Sequence, residues 1–346
     1  MKTQLNNSPS YFFLPGLFVM AFIFIATACS GNENEASIDQ LVAEMTQRVK
    51  AITLAEVENN VIPRFNQVKT VACVQAEFRV HEDIPSELQQ GIFSQPGVYP
   101  AMLRFANATN IDDSKKDIRG LSIKLSDVDG PILWGKPGVQ DFLLNSYPAL
   151  FVATPEDFLS FIRARQDDKK FSFFFNPFDS HLKSFWIVTK ARKKHLSPLD
   201  IRYWSTVPFR LGETSGQVVK YSVTPCSNHT TTEPVNGGEN QLRSAIKSHL
   251  RQESACFHFG VQKQTDPIAM PIENASVIWN EKDSPFQTVA SITIKNQDFD
   301  NPESLASCER SSFNPWQSLT AHEPLGRMNE VRRLVYENAA KLRNKE

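Results

Sequence analysis

The sequence has 346 residues, a formal net charge of -1, 41% hydrophobic residues and 22% charged residues. That balance excludes a disordered chain and leaves no electrostatic footprint for nucleic acid. The length suffices for a large core or two domains, and 25 phenylalanines against 14 glycines suit an apolar cavity as well as an ordinary core.

Residues 1–28 read as an export signal. Lys2 precedes the apolar run Tyr11 to Ala28, "YFFLPGLFVMAFIFIATA", and small residues lead into Cys29 and the polar "SGNENEAS". A basic start, an apolar stretch and a small-residue site are what secretion machinery recognises. The stretch "IATAC" resembles a bacterial lipoprotein signal, in which the cysteine becomes the lipidated first residue. Ala26 departs from the leucine usual there. An uncleaved membrane anchor is the alternative, since about 18 apolar residues nearly span a bilayer. Lys2 before the run and acidic residues after it favour an extracytoplasmic, membrane-attached body in either case. Residues 29–36 read as a tether, and 37–346 as a single domain. Cys73, Cys226, Cys256 and Cys308 allow three disulfide pairings in an oxidising compartment, or stay as buried thiols.

Beyond the tether, "SIDQLVAEMTQRVKAIT" has helical spacing with Ser37 as N-cap. The segments "TVACVQAEFRV", "YPAMLRFAN", "GLSIKLSD" and "QDFLLNS" are short, apolar or alternating, and bounded by Pro, Gly, Asp or Asn, as strands are. "TPEDFLSFIRARQ" predicts a helix with Thr154 as N-cap, Pro155 at its first position and two acids in its first turn. "QVVKYSVTP", "ACFHFGVQK" and "VASITIKNQ" predict further strands. Many antiparallel strands with helices near the ends imply an α+β fold, with a barrel as one form of it.

The last segment, "NEVRRLVYENAAKLR", predicts a helix with Asn329 as N-cap. At about 100° per residue, Arg332, Tyr336 and Arg343 fall within an arc of roughly 40°, while Val331, Leu334, Val335 and Leu342 gather on another. A guanidinium one turn from a phenol favours its ionised form. A phenolate is a known proximal ligand of ferric haem, and a second arginine suits a propionate.

The blocks "FRVHEDI", "LRFANATN", "DIRGLSIKL" and "LLNSYPALFVATPEDFLSFI", followed by the terminal "RRLVY", resemble the haem catalase family in the same order. The resemblance covers roughly residues 70 to 165, the later strands more loosely, and the last helix. It points to the small, catalase-related peroxidase branch, in an exported lipoprotein form. It implies an antiparallel β-barrel with flanking helices, and haem b buried between the barrel and the C-terminal helix. On it, His81 matches the distal histidine and Asn145 the distal asparagine. Tyr336 matches the proximal iron ligand beside Arg332. Arg104 and Arg343 match propionate-binding arginines, Phe158 a distal aromatic, and Val80 a residue packing on the haem face. The implied chemistry is heterolytic O–O cleavage of hydrogen peroxide. An imidazole carries the proton and a carboxamide holds the developing charge. A second peroxide or an unidentified electron donor then completes the cycle.

Two departures bear on this. Ala106 replaces the family serine that supports the distal imidazole, and Ile118 replaces a proline. The long arm and C-terminal helices of large catalases have no counterpart, which exposes the site to larger donors. Two further readings follow: an organic (fatty-acid) hydroperoxide-converting enzyme resembling allene oxide synthase, disfavoured by Val80 before His81, and a haem-free catalase-like binding lipoprotein.

Overall fold

The computed structural model describes residues 36–58, 60–213, 216–226 and 231–345. The export run, Cys29 and most of the tether lie outside these residues. Among the described residues no helix is long and apolar enough to cross a membrane.

The alternating segments form the strands they predict. In chain order the elements are α1 (Ile38–Ala55), β1 (Lys69–Val80), β2 (Gly97–Asn107), β3 (Arg119–Ser126), β4 (Ile132–Trp134), β5 (Val139–Asn145), α2 (Pro155–Gln166), α3 (Lys170–Phe175), α4 (Leu182–Ala191), β6 (Tyr203–Trp204), β7 (Phe209–Leu211), β8 (Gln217–Pro225), α5 (Gln241–Leu250), β9 (Ala255–Lys263), β10 (Gln287–Ile294), α6 (Pro302–Arg310), β11 (Ser318–Leu319) and α7 (Arg327–Asn344). The main sheet runs β6-β5-β3-β2-β1-β10-β9-β8-β7. All its pairs are antiparallel. The two-residue β6 bonds to both β5 and β8, which closes eight strands into a barrel and leaves β7 beside β8. Closure removes the exposed edges that an open sheet of this size would carry.

The phenylalanines fill the barrel. Phe78, Phe93, Phe105, Phe142, Phe257 and Phe259 are fully buried with Tyr203 and Tyr221, and the Phe142 and Phe259 rings meet edge-on at 4.9 Å. His322, to which the sequence assigns no role, lies among them. Its Nε2 accepts from the Ile92 amide at 3.0 Å and its Nδ1 lies 2.9 Å from the Tyr221 hydroxyl. Burial without a charged partner brings its pKa down to about 3, so it is a neutral structural histidine.

Three helices cover one side. Ser37 and Gln40 form a capping box on α1, and Thr154 with Asp157 does the same for α2, with Pro155 in the first turn. The apolar sides of α1, α2 and α7 meet through Leu41, Met45, Val49, Leu159, Ile162 and Val331, joined by Leu334 and Val335. The start of α7 differs from expectation: its N-cap is Gly326, at φ 84°, a conformation glycine adopts without strain. Asn329 instead lies in the first turn, where its amide donates to the Pro208 and Leu325 carbonyls.

Two disulfides resolve the open pairings: Cys73–Cys308 and Cys226–Cys256, with Cα separations of 6.2 and 5.5 Å. The first ties β1 to α6.

Arg119, from the "DIRGL" block, is buried at 1% exposure. It donates to the Asp113 and Lys115 carbonyls and to Asn107. Arg119→Met leaves those buried acceptors unpaired and is expected to cost about 3 kcal/mol, read as a lower urea midpoint at unchanged slope.

Candidate functional site

The β-ladders set one rim of the barrel. Thr70 on β1 pairs with Ala106 on β2, Ala106 with Gly120 on β3, Gly120 with Asn145 on β5, and Asn145 with Trp204 on β6. Ala106 and Asn145 therefore belong to one row.

His81 does not join them. It follows Val80, which pairs with Gly97 and Ala290 at the other end of β1. Ten residues of strand separate Val80 from Thr70, on the order of 30 Å at the usual rise. His81 lines a different cleft, of ≈ 410 Å³, with Arg79, Glu82, Asp83, Pro96 and Gly97. Burial, and then the charge of His258, lowers its pKa. Val80 is buried in the barrel core beside it. The pairing of His81 with Asn145 expected from the sequence is thus not formed. The block "FRVHEDI" ends a strand whose start, not its end, faces the Asn145 rim.

The side chain that does face Asn145 is Gln67, in the irregular segment before β1. Its Nε2 donates to Asn145 Oδ1 at 3.1 Å, and its amide lies so close above Gly120 that a Cβ there would meet Gln67 Oε1 at 2.1 Å. Gln67 Oε1 is buried without a hydrogen-bond partner. The residue has φ 57°, and its carbonyl accepts from Arg104 Nη2 at 2.8 Å.

Arg104 opens an arginine cluster. It is 2% exposed, and its Nε donates to Thr70 Oγ1 at 2.9 Å. Burial and repulsion from Arg64, against attraction from Glu309, bring its pKa down to about 9, so it stays charged at neutral pH. Arg64 donates to the Cys308, Glu309 and Ser311 carbonyls, and its Nε lies 3.4 Å from Glu309 Oε2. Arg343, at the far end of α7, donates to the carbonyls of Glu309 and Ser311. Three guanidiniums from three separate parts of the chain thus converge on the C-terminus of α6, where helix carbonyls carry partial negative charge. Burial pushes the Glu309 carboxyl up. Arg104 and Arg64, with a hydrogen bond from Thr70, outweigh it and hold the pKa below the ordinary value.

Two to three turns back along α7, Arg332 Nη2 lies 3.3 Å from the Tyr336 hydroxyl and its guanidinium sits over the ring at 5.1 Å. Arg332 also donates to Asn329. Phe158 on α2 packs between the barrel core and the α1–α2–α7 cluster, with its ring 6.2 Å from Phe151. The structure therefore joins Asn145, Arg104 and Arg343 through Gln67 and Glu309. It places Tyr336, Arg332 and Phe158 on the helices bearing on that cluster, and sets His81 and Val80 apart.

Gln67 and Arg64 escaped sequence reasoning. "IPRFNQVK" has neither alternation nor helical period, and a glutamine carries no motif of its own. Glu309 escaped as one more acid on a polar helix.

No family model and no curated protein matches the chain. Among solved structures it is similar to a bacterial catalase (TM-score 0.67, 16% identity, 91% of this chain and 62% of that one). It is also similar to a fungal catalase (0.66, 14%, 85% and 61%) and to catalase A from Saccharomyces cerevisiae (0.66, 15%, 82% and 62%). The chain thus spans a little over three-fifths of the length of the catalases it matches. At such identities the likeness speaks for architecture: this chain has the catalase fold, an antiparallel β-barrel with flanking helices.

Proposed function

We propose that the chain is a haem b protein of catalase fold, membrane-attached outside the cytoplasm, that consumes peroxide as a slow peroxidase and not as a fast catalase. The observation that carries this reading is the Arg332–Tyr336 pair on the helix whose far end enters the arginine cluster. The residue types fit the group. The guanidinium–phenol contact is the one a metal-bound phenolate needs. The arginine cluster already holds a carboxylate, that of Glu309, which is the chemistry a propionate requires. Tyr336 would ligate the iron, and Arg64, Arg104 and Arg343 would hold the propionates once Glu309 gives way. When bound, haem b supplies the redox-active iron that peroxide oxidises.

The chain's own residues set the rate. Gln67 and Asn145 offer amide donors that orient a peroxide oxygen, but an amide does not take up a proton at neutral pH. Among the described residues no imidazole hydrogen-bonds to the side chain of Gln67, Asn145 or Arg104. The proton must then pass through solvent, which forgoes the 10²–10⁴-fold that a positioned acid–base group typically contributes. Membrane attachment, through lipidated Cys29 or an uncleaved anchor, is part of the same proposal and rests on the run before Cys29.

The occupied arginine cluster favours a second reading, a haem-free binding protein of the same fold. Titration of the full-length protein with haemin separates the two. A saturable Soret band is expected, lost or strongly shifted in Tyr336→Phe, while His81→Ala leaves haem binding and peroxide consumption within about twofold of the parent. Absence of a Soret band in the parent would leave the haem-free reading standing. Loss of peroxide consumption in His81→Ala would restore that histidine to the reaction.

A further inference from the structure

The segment from α3 through α4 to His195, "KFSFFFNPFDSHLKSFWIVTKARKKH", is where the chain spends aromatic residues on its surface. Phe178 is 96% exposed, Phe171 76%, Trp186 59% and Leu182 47%. Phe171 and Trp186 belong to one surface through Phe175 and Phe185: the rings of Phe171 and Phe175 lie 4.7 Å apart, Phe175 and Phe185 4.9 Å, and Phe185 and Trp186 5.8 Å, and Phe178 stands in the turn between the two helices. Leu182 and Trp186, one turn apart on α4, extend it. Scattered exposed apolar residues are ordinary, but a contiguous aromatic patch marks a contact surface. Phe175 and Phe185 also join α3 to α4, but Phe171, Phe178, Leu182 and Trp186 stay largely exposed. The inner side of the hairpin is held by Phe173 and Phe174 against Phe161, and by Phe173 stacked on His181 at 4.1 Å.

The charges around the patch differ from those of the whole molecule. Residues 167–194 carry Lys169, Lys170, Lys183, Lys190, Arg192, Lys193 and Lys194 against Asp167, Asp168 and Asp179, in a chain of net charge -1. Among the described residues no carboxylate pairs with Lys169, Lys170, Lys183 or Lys190. Aromatic side chains ringed by lysines are the composition of an element lying in the headgroup region of an anionic bilayer.

The position of the hairpin favours the same occupant. Arg327 donates to the Ala36 carbonyl and also pairs with Glu156. Asp157, the next residue of α2, lies 3.6 Å from His181 at the entry to α4. The first turn of α2 therefore joins the point from which the chain continues toward its apolar N-terminal run to the root of the aromatic hairpin.

We propose that the α3–α4 hairpin docks on an anionic lipid surface, with Phe171, Phe178, Leu182 and Trp186 entering the headgroup region and the lysines meeting lipid phosphates. This inference does not depend on haem.

The test uses the full-length chain reconstituted into vesicles of phosphatidylcholine and phosphatidylglycerol carrying lipid brominated near the headgroup. Subtracting the emission of Trp186→Phe isolates Trp186 from the other four tryptophans. The Trp186 signal is expected to be roughly halved by the brominated lipid. It is expected to recover when Lys169, Lys170, Lys183 and Lys190 are changed together to glutamate, and when phosphatidylglycerol is omitted. These positions are exposed, so an unchanged melting temperature confirms folding. Unquenched Trp186 in the vesicle-bound chain overturns the proposal, as does burial of Trp186 in a dimer without quenching. Quenching that persists in pure phosphatidylcholine overturns the choice of an anionic surface.

Discussion

Gln67→His is expected to raise peroxide consumption by the haem-loaded protein at least ~100-fold in kcat/KM, the lower end of what a positioned acid–base group contributes. The glutamine amide touches Asn145 and lies over Gly120 at the rim row that also holds Ala106. An imidazole has a similar reach and adds the capacity to take up and return a proton near neutral pH. The backbone accepts the change, because Gln67 sits at φ 57°, a region in which histidine is enriched among non-glycine residues. Ala106 leaves the new ring without a hydroxyl to fix it, so Ala106→Ser added to Gln67→His is expected to increase the rate again. Stopped-flow loss of peroxide absorbance, in the presence of a reducing donor, measures both. A Gln67→His protein that binds haem yet gains less than about threefold would show that proton transfer is not what limits this site.

Glu309→Gln is expected to tighten haemin binding about tenfold, equivalent to about 1.4 kcal/mol. In the parent the carboxylate lies beside Arg64 and Arg104 and accepts from Thr70, so an incoming propionate competes with a group that cannot diffuse away. The glutamine keeps the shape and removes the charge. Arg64 and Arg343 keep their bonds to the carbonyls of α6, so the helix end stays in place. The carboxyl pKa is lowered in the folded protein. Its contribution to stability is therefore present above the unfolded carboxylate pKa and is lost as pH falls through the lowered folded value. The stability difference between parent and Glu309→Gln should shrink over that acid range, as urea midpoints would record. Weaker haemin binding by Glu309→Gln would show that the carboxylate positions the arginines for a ligand and does not stand in for one.

These expectations rest on residues that differ in how far sequence exposes them. The terminal helix was readable because two chemical stripes repeat at helical spacing: Val331, Leu334 and Val335 do pack on α1 and α2, and Arg332 does reach Tyr336. The caps of α1 and α2 were readable for the same local reason. Arg104 stood out because a cation inside an apolar strand demands partners. The separation of His81 from Asn145 is not legible in sequence, because a strand pattern fixes which face a residue takes but not which end of the strand meets a given partner. "FRVHEDI" stands at the end of β1 opposite the Asn145 rim. Gln67 and Arg64 lie in a stretch without periodicity, and their meaning comes from Asn145 and Glu309, 78 and 245 positions away. The α3–α4 hairpin is not legible in sequence because consecutive phenylalanines show neither period, and only the folded chain separates Phe173, buried, from Phe171, exposed.

The closing pair of the barrel sets an order of assembly. β1 has one partner, β2, close behind it, and its other, β10, lies beyond most of the remaining strands. The bond from Cys73 to Cys308 spans 235 residues. Until β10 and α6 have been made, every partial sheet keeps two open edges and the arginines have no helix end to meet. Contacts this distant in sequence are slow to form. For a chain proposed to work outside the cytoplasm that delay has a use: the ring cannot shut, nor its long crosslink form, before β10 and α6 near the end of the sequence have been made.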